Sequence, residues 1–416
     1  TYSLSGTGTV SAADEYVGRW GTGSFAQTSG TNTVSHNLYL GTSSGASGAY
    51  TISGGTLGVN NNISVGSAGT GTLNIDGGTV NTFIIAAGSI GGSSGSVNLS
   101  GTGSLSTSYE VIGNSGTGVF TQTGGTNTIT NEFTIGINSG SSGTYNLSGG
   151  TNNVTNDLTI GLFSGSSGTY TISGGTLNVN GNITDGAGNS TLYNDGGTLN
   201  VAGTIDVDTY GIGGSSGSNV NHTYNGAVGF LSNLTFDSLN VGGSGTGIFT
   251  HSDGSTLSLT DLRLGIDSGG SGTYTISNGT LNVSGNISDG VGDSTLYNDG
   301  GTLNVSGTID VDTYGIGGSS GSNVSHTYNG ATGILPNLTF DSLNVGGEGT
   351  GEFNHSDGST LGMVDLRLGV DSGGSGTYTI SNGTLNVSGE VVNGAGSGTL
   401  NIDGGTVNAG TIGVDN

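Results

Sequence analysis

The sequence predicts an all-β fold, a parallel β-helix built as a three-sided β-solenoid of about 17 coils of 22–25 residues. Three observations lead there. One aromatic or aliphatic residue recurs after a Gly-Thr-like pair along the whole chain, as at Tyr2, Phe25, Tyr50, Leu73, Val97, Phe120, Tyr145, Tyr170 and Leu192, then Tyr224, Phe249, Tyr274, Leu296, Tyr328, Phe353, Tyr378 and Leu400. Short segments between these marks alternate apolar and polar residues with a period of two, the signature of half-buried strands. Gly-Gly, Ser-Gly and Asn-Gly pairs punctuate them as corners, and no stretch carries a helical period.

Each coil holds three short strands. Around Tyr170, the first has Tyr170 and Ile172 alternating with Thr, the second has Leu177 and Val179 alternating with Asn, and Ile183 opens the third. The second strand begins at a Thr after Gly, as at Thr31, Thr56, Thr126, Thr151 and Thr176. The third is a short apolar pair ending in Gly: Leu38 and Leu40 before Gly41, Phe133 and Ile135 before Gly136, Leu158 and Ile160 before Gly161, Leu366 and Leu368 before Gly369. Parallel coils stack at about 4.8 Å. Equivalent residues then lie above one another, so Tyr50, Phe120, Tyr145, Tyr170, Phe249, Tyr274, Phe353 and Tyr378 are expected to form an interior ladder. Each coil buries its inner face only against its neighbours.

Four segments of one continuous solenoid follow from a longer duplication. Residues 1–167 hold ordinary coils, and 168–271 align without gaps on 272–375 at an offset of 104, with 87 identical positions. Residues 376–416 begin a third copy and diverge. Two steps of the ladder are 32 residues long, Leu192 to Tyr224 and Leu296 to Tyr328. Such an insertion is expected to project as a loop carrying Asp206, Asp208 and Tyr210, repeated as Asp310, Asp312 and Tyr314.

Composition excludes several functions. The chain has 91 Gly, 1 Pro, no Cys, 3 Lys+Arg and 28 Asp+Glu, for a net charge of −25. Nucleic-acid binding needs cations to neutralise phosphates, so no nucleic-acid partner is expected. No apolar run approaches the ~20 residues of a membrane helix, so membrane insertion is not expected either. Without cysteine there is no disulfide framework or thiolate metal site.

The unit Gly-Thr-Tyr-x-Leu/Ile-Ser-Gly-Gly-Thr, seen at Gly143 to Gly150, at Gly168 to Gly175 and as the variant Phe120 to Thr126, resembles the strand repeats associated with bacterial autotransporter passengers. It is similar to the arrays of large secreted bacterial surface proteins. The resemblance covers essentially the whole chain. It implies a right-handed solenoid and an extracellular or cell-surface location, with export and anchoring segments absent from these residues. It says little about activity, because such arrays carry adhesins, fibres, sheaths and the stalks of enzymes.

Residues that could carry chemistry come mostly in duplicate. Asp206 with Asp208, and Asp310 with Asp312, share a strand face at a spacing open to glycosidic chemistry and to calcium, whose ligands are hard oxygens. No cofactor is required, and structural Ca²⁺ at these four aspartates is the ligand considered. Arg263 and Arg367 are expected to point outward beside Asp261 and Asp365. His251 with Asp253, and His355 with Asp357, flank serines, but adjacent strand residues point apart, so a capped turn is expected rather than a Ser-His-Asp triad. Trp20 is expected to pack within an end coil.

No catalytic residue is assigned, and a polysaccharide-acting enzyme is the remotest alternative. The expected role is structural: a fibre, sheath or matrix outside the cell, formed by end-to-end stacking of the chain on itself. The first residues, Thr1 to Thr7, and the last coil through Leu400 both read as coil strands without a cap, which suits a head-to-tail homopolymer. The alternative is a rod-like stalk of a larger adhesin, with surface glycans as partners.

Overall fold

A segment such as Gly-Thr-Tyr-Thr-Ile has β-branched and aromatic residues at every second place, and it fits a pleated strand buried on one side. The computed structural model describes residues 1–213, 219–224, 234–252, 254–318, 323–328 and 338–413. No helix occurs among them, so none is long and apolar enough to cross a membrane. Their strands stack in parallel as a β-solenoid of about 15 turns. They fall into two units, Thr1–Tyr210 and Gly211–Asn416.

In the first unit the turn at Tyr170 is built from strands Ser167–Ile172, Thr176–Val179 and Ile183–Asp185. Burial alternates strictly along the first two. All three sequence marks stack on their equivalents. Phe120 registers with Tyr145 and Tyr145 with Tyr170; Thr126 registers with Thr151 and Thr151 with Thr176; Phe133 registers with Leu158 and Leu158 with Ile183. Corner geometry is supplied by the glycine that ends the third strand. Gly136 has φ 73, and a Cβ there would lie 2.4 Å from the Ser167 carbonyl oxygen of the next turn. Outside the core, side-chain amides run from turn to turn: Asn178 donates to Asn153 and Asn200 to Asn178, each at 2.8 Å.

The second unit repeats this pattern. Its strands Ser271–Ile276, Thr280–Val283 and Ile287–Asp289 carry the next turn in register, with Tyr274 on Leu296, Leu281 on Leu303 and Ile287 on Ile309. The long steps depart from expectation. Asp310, Asp312 and Tyr314 do not project in a loop; they lie in strand Ile309–Ile316, and Tyr314 is fully buried. Asp206 and Asp208 likewise lie in strand Ile205–Ile212. The period of two continues through Ile-x-Val, so the segment pairs instead of looping out. Leu296 registers with Tyr314, not with Tyr328. Tyr328 and Tyr224 register with His355 and His251 instead of Phe353 and Phe249.

Candidate functional site

The eight ladder aromatics named from sequence, Tyr50, Phe120, Tyr145, Tyr170, Phe249, Tyr274, Phe353 and Tyr378, are all fully buried. Ring centroids are 4.5 Å apart for Phe120 and Tyr145, 4.6 Å for Tyr145 and Tyr170, 5.3 Å for Phe249 and Tyr274, and 5.2 Å for Phe353 and Tyr378. Near-parallel rings at this spacing add to their area burial.

A buried tyrosine brings a hydroxyl that needs a partner. The chain supplies it from the turn below. Each Phe of the ladder is followed two residues later by Gln27, Gln122, His251 or His355, and each of these meets the Tyr above. Tyr50 donates to Gln27 Oε1 and Tyr145 to Gln122 Oε1, both at 2.6 Å. His251 Nδ1 lies 3.2 Å from the Tyr274 hydroxyl, and His355 Nδ1 lies 3.1 Å from that of Tyr378. Tyr170 has Leu147 beneath it and instead takes a bond from Asn152 Nδ2 at 3.0 Å. Inward Asn32 and Asn127 donate in the same way to Tyr50 and Tyr145. Sequence reasoning missed these amides, although Phe-x-Gln/His one coil before a Tyr was the signal. Burial lifts the phenols of Tyr145 and Tyr170 well above their ordinary range.

The histidines belong to this interior. His251 Nε2 lies 3.2 Å from both the carbonyl oxygen and the hydroxyl of Ser255, a setting that suits a proton on Nε2 and leaves Nδ1 to accept from Tyr274. Around His355 a serine and an aspartate do converge, contrary to the expectation that neighbours point apart. His355 Nε2 is 3.1 Å from Ser359 Oγ and 3.5 Å from Asp357 Oδ1. The turn through Gly358, at φ 83, folds Ser359 back. The arrangement does not match a hydrolytic triad. Ser359 Oγ donates to Asp357 at 2.6 Å, so its proton is not directed at the imidazole. The aspartate shares Nε2 with the serine, whereas a triad places it on Nδ1. The His355 and Asp357 side chains are essentially inaccessible, at 0% and 2% exposure. Burial lowers the His355 pKa, partly opposed by Asp357. Asp253 lies outside the described residues.

The four aspartates considered for calcium serve the stack in part. Asp208 Oδ2 accepts the Ser190 amide at 2.8 Å, while Ser190 Oγ accepts the Asp208 amide at 2.8 Å. Asp312 and Ser294 repeat this exchange. Asp206 is half-buried and Asp310 exposed. Burial, then the charges of Asp310, Asp312 and Asp341, raises the Asp289 pKa. Among the described residues no group of three or more His, Cys, Asp or Glu could hold a metal ion. Because Asp208 and Asp312 already bind serines, EDTA is expected to leave the thermal midpoint unchanged. A calorimetric drop of several degrees on chelation would place a cation among these carboxylates.

Arg367 is exposed and pairs with Asp365 at 3.2 Å. Asp261 caps the Asn286 amide at 2.9 Å, and Arg263 is exposed. Trp20 corrects the expectation of packing: it is 80% exposed. The Arg19 guanidinium lies 4.7 Å from the ring centroid of Tyr16 and 5.4 Å from that of Trp20, and Tyr16 stacks on Tyr39 at 5.0 Å. In the second unit a cavity of about 300 Å³ is lined in part by Tyr297, Asp299, Gly318, Asn344 and Asp371. Asp299 accepts the Gly318 amide there, and burial with both carboxylates raises the Tyr297 phenol.

No family model, curated protein or solved structure matches the chain. The likeness to secreted bacterial arrays therefore rests on the repeat motif alone.

Proposed function

We propose that the chain is a structural protein working outside the cell, building a fibre, sheath or matrix by stacking copies of itself end to end. One observation supports this reading most. Within each unit, turn after turn pairs with the next through the same parallel register, so a turn is a template for another turn. Backbone pairing of that kind extends by strand addition, and a contact that does not close yields filaments. The inward polar residues at Gln122, Asn127, His251 and His355 are engaged with ladder tyrosines. That pattern suits a scaffold role. The carboxylate-rich exterior keeps such copies soluble.

Electron microscopy and light scattering over a concentration series test it. Fibres that lengthen with concentration are the expected result; monodisperse single particles at every concentration would overturn self-assembly. A second reading, the stalk of a surface adhesin with glycans as partners, draws on the exposed Trp20 beside Tyr16 and Arg19. Aromatic faces suit sugar rings, and exposed apolar patches mark interaction sites. Glycan-array binding that is lost in Trp20→Ala would favour it.

A further inference from the structure

Glu110 occupies a place in the aliphatic ladder of the third strand, between Ile85 below and Phe133 above. It is fully buried. Asn127 Nδ2 donates to its Oε2 at 3.0 Å and to the Tyr145 hydroxyl at 3.3 Å. Tyr145 in turn donates to Gln122 Oε1, and Gln122 Nε2 donates to the carbonyls of Gly125 and Thr151. Every side-chain hydrogen of Asn127, Tyr145 and Gln122 is therefore committed. Two buried oxygens remain without a hydrogen, Glu110 Oε1 and Asn127 Oδ1.

The same hydrogen bonds stand 95 residues earlier in the chain, around Glu15, which is half-buried. Asn32 Nδ2 donates to Glu15 Oε2 at 2.8 Å and to the Tyr50 hydroxyl at 3.0 Å. Tyr50 donates to Gln27, whose amide serves Gly30 and Thr56. Again the two buried oxygens left over are Glu15 Oε1 and Asn32 Oδ1. In the second unit the matching places carry Leu239 with Leu257, and Leu343 with Leu361, all buried. At the turn after Asn127 the amide stands alone: Asn152 bonds Tyr170, Phe133 takes the place of the acid, and Asn152 Oδ1 is left buried without a donor.

We propose that Glu15 and Glu110 are held as neutral carboxylic acids, each paired with its asparagine as an acid–amide couple. The couples form a pH-sensitive latch in the first unit. One proton on Oε1 supplies the donor that both orphaned oxygens lack, with the Asn Oδ1 as its acceptor. An unpaired buried carboxylate would instead be strongly unfavourable. The titratable groups facing Glu110 are the phenols of Tyr145 and Tyr170, and Tyr50 faces Glu15. Burial keeps all of these phenols protonated, so none brings a compensating positive charge to the acids. Burial, opposed only by the asparagine bond, moves Glu110 from 4.5 to about 8, and it raises Glu15 in the same direction.

The sign follows from proton linkage. Between the unfolded value of 4.5 and about 8 the folded chain holds a proton that the unfolded chain has lost. Stability contributed by the couple therefore falls as pH rises through that window and levels off above it. A glutamine reproduces the shape of the neutral acid and can donate to the same Asn oxygen without titrating.

The test uses the full chain with ¹³C-labelled glutamate, of which the sequence holds only six. The Glu110 carboxyl carbon, assigned by its loss in Glu110→Gln, is expected to stay at its protonated shift until near pH 8. Thermal midpoints should fall from pH 5 to 8 in the native chain, and the fall should shrink in the Glu15→Gln/Glu110→Gln variant. A Glu110 carbon titrating with the exposed glutamates, or an equal pH slope in native and variant chains, would overturn the proposal. The carbon titration reads the native chain, so a variant that fails to fold leaves the first arm decisive: all six carbons titrating together in the native chain is then the overturning result.

Discussion

Replacing Tyr145 by alanine is expected to destabilise the first unit by about 3–5 kcal/mol, the range for deleting a fully buried aromatic ring. The ring lies between Phe120 and Tyr170, with interplanar angles of 12° and 9°, and meets the edge of Phe133 at 5.5 Å. Its removal opens a gap in the ladder and takes the hydroxyl from Gln122 and Asn127. Tyr145→Phe separates the two effects, because it keeps the ring and leaves the Gln122 oxygen without a donor. That variant is expected to cost about 1–3 kcal/mol. Urea unfolding followed by circular dichroism reads both. If Tyr145→Ala cost less than about 1 kcal/mol, the ladder would not be the core of this unit.

Gly136→Ala is expected to cost about 3 kcal/mol or more, because two penalties coincide. The residue adopts φ 73, which costs an L-residue with a Cβ about 1–2 kcal/mol. Its Cβ would also meet the Ser167 carbonyl at 2.4 Å and the Gly168 nitrogen at 3.0 Å. Backbone of the next turn cannot withdraw without breaking the register. Gly140→Ala is the control: its φ is 80, and nothing lies within 4 Å of the new carbon. Only the conformational term should appear there. Equal midpoints for the two variants in thermal unfolding would show that close stacking at Gly136 is not limiting.

The strands and the ladder were legible because side-chain alternation is local and the repeat is nearly periodic. Tyr145, Tyr170 and Phe353 could be placed from one mark and a count. The count misled at Tyr224 and Tyr328, because register across a long step is set by which strand edges meet. There Ile309–Ile316 pairs at its start with Ile287 and at its end with Leu296. The polar interior was hidden for another reason. Gln122, Asn127 and Glu110 stand at places where alternation calls for apolar residues, and only the hydroxyl of Tyr145 one coil away makes sense of the amides. At His355 the expected capped turn is present, Asp357 accepting the Ser359 amide at 3.1 Å and its hydroxyl at 2.6 Å, but strand alternation hid the convergence of the three side chains. Gly358 reverses the chain, so His355, Asp357 and Ser359 meet on one side. Trp20 had no periodic mark, and its environment could not be read from spacing.

The amide column on the outer face has a direction. Asn200 donates to Asn178 and Asn178 to Asn153, always toward the lower residue number. Asn304 to Asn282 and Asn408 to Asn386 keep that sense in the other unit. Amide dipoles aligned in this way polarise one another, so each added bond strengthens its neighbours. Each column therefore points its donors toward lower residue numbers and its acceptors toward higher ones, and an inverted turn would set like poles together. The asparagines thus act as a polarity code written into the surface of the stack.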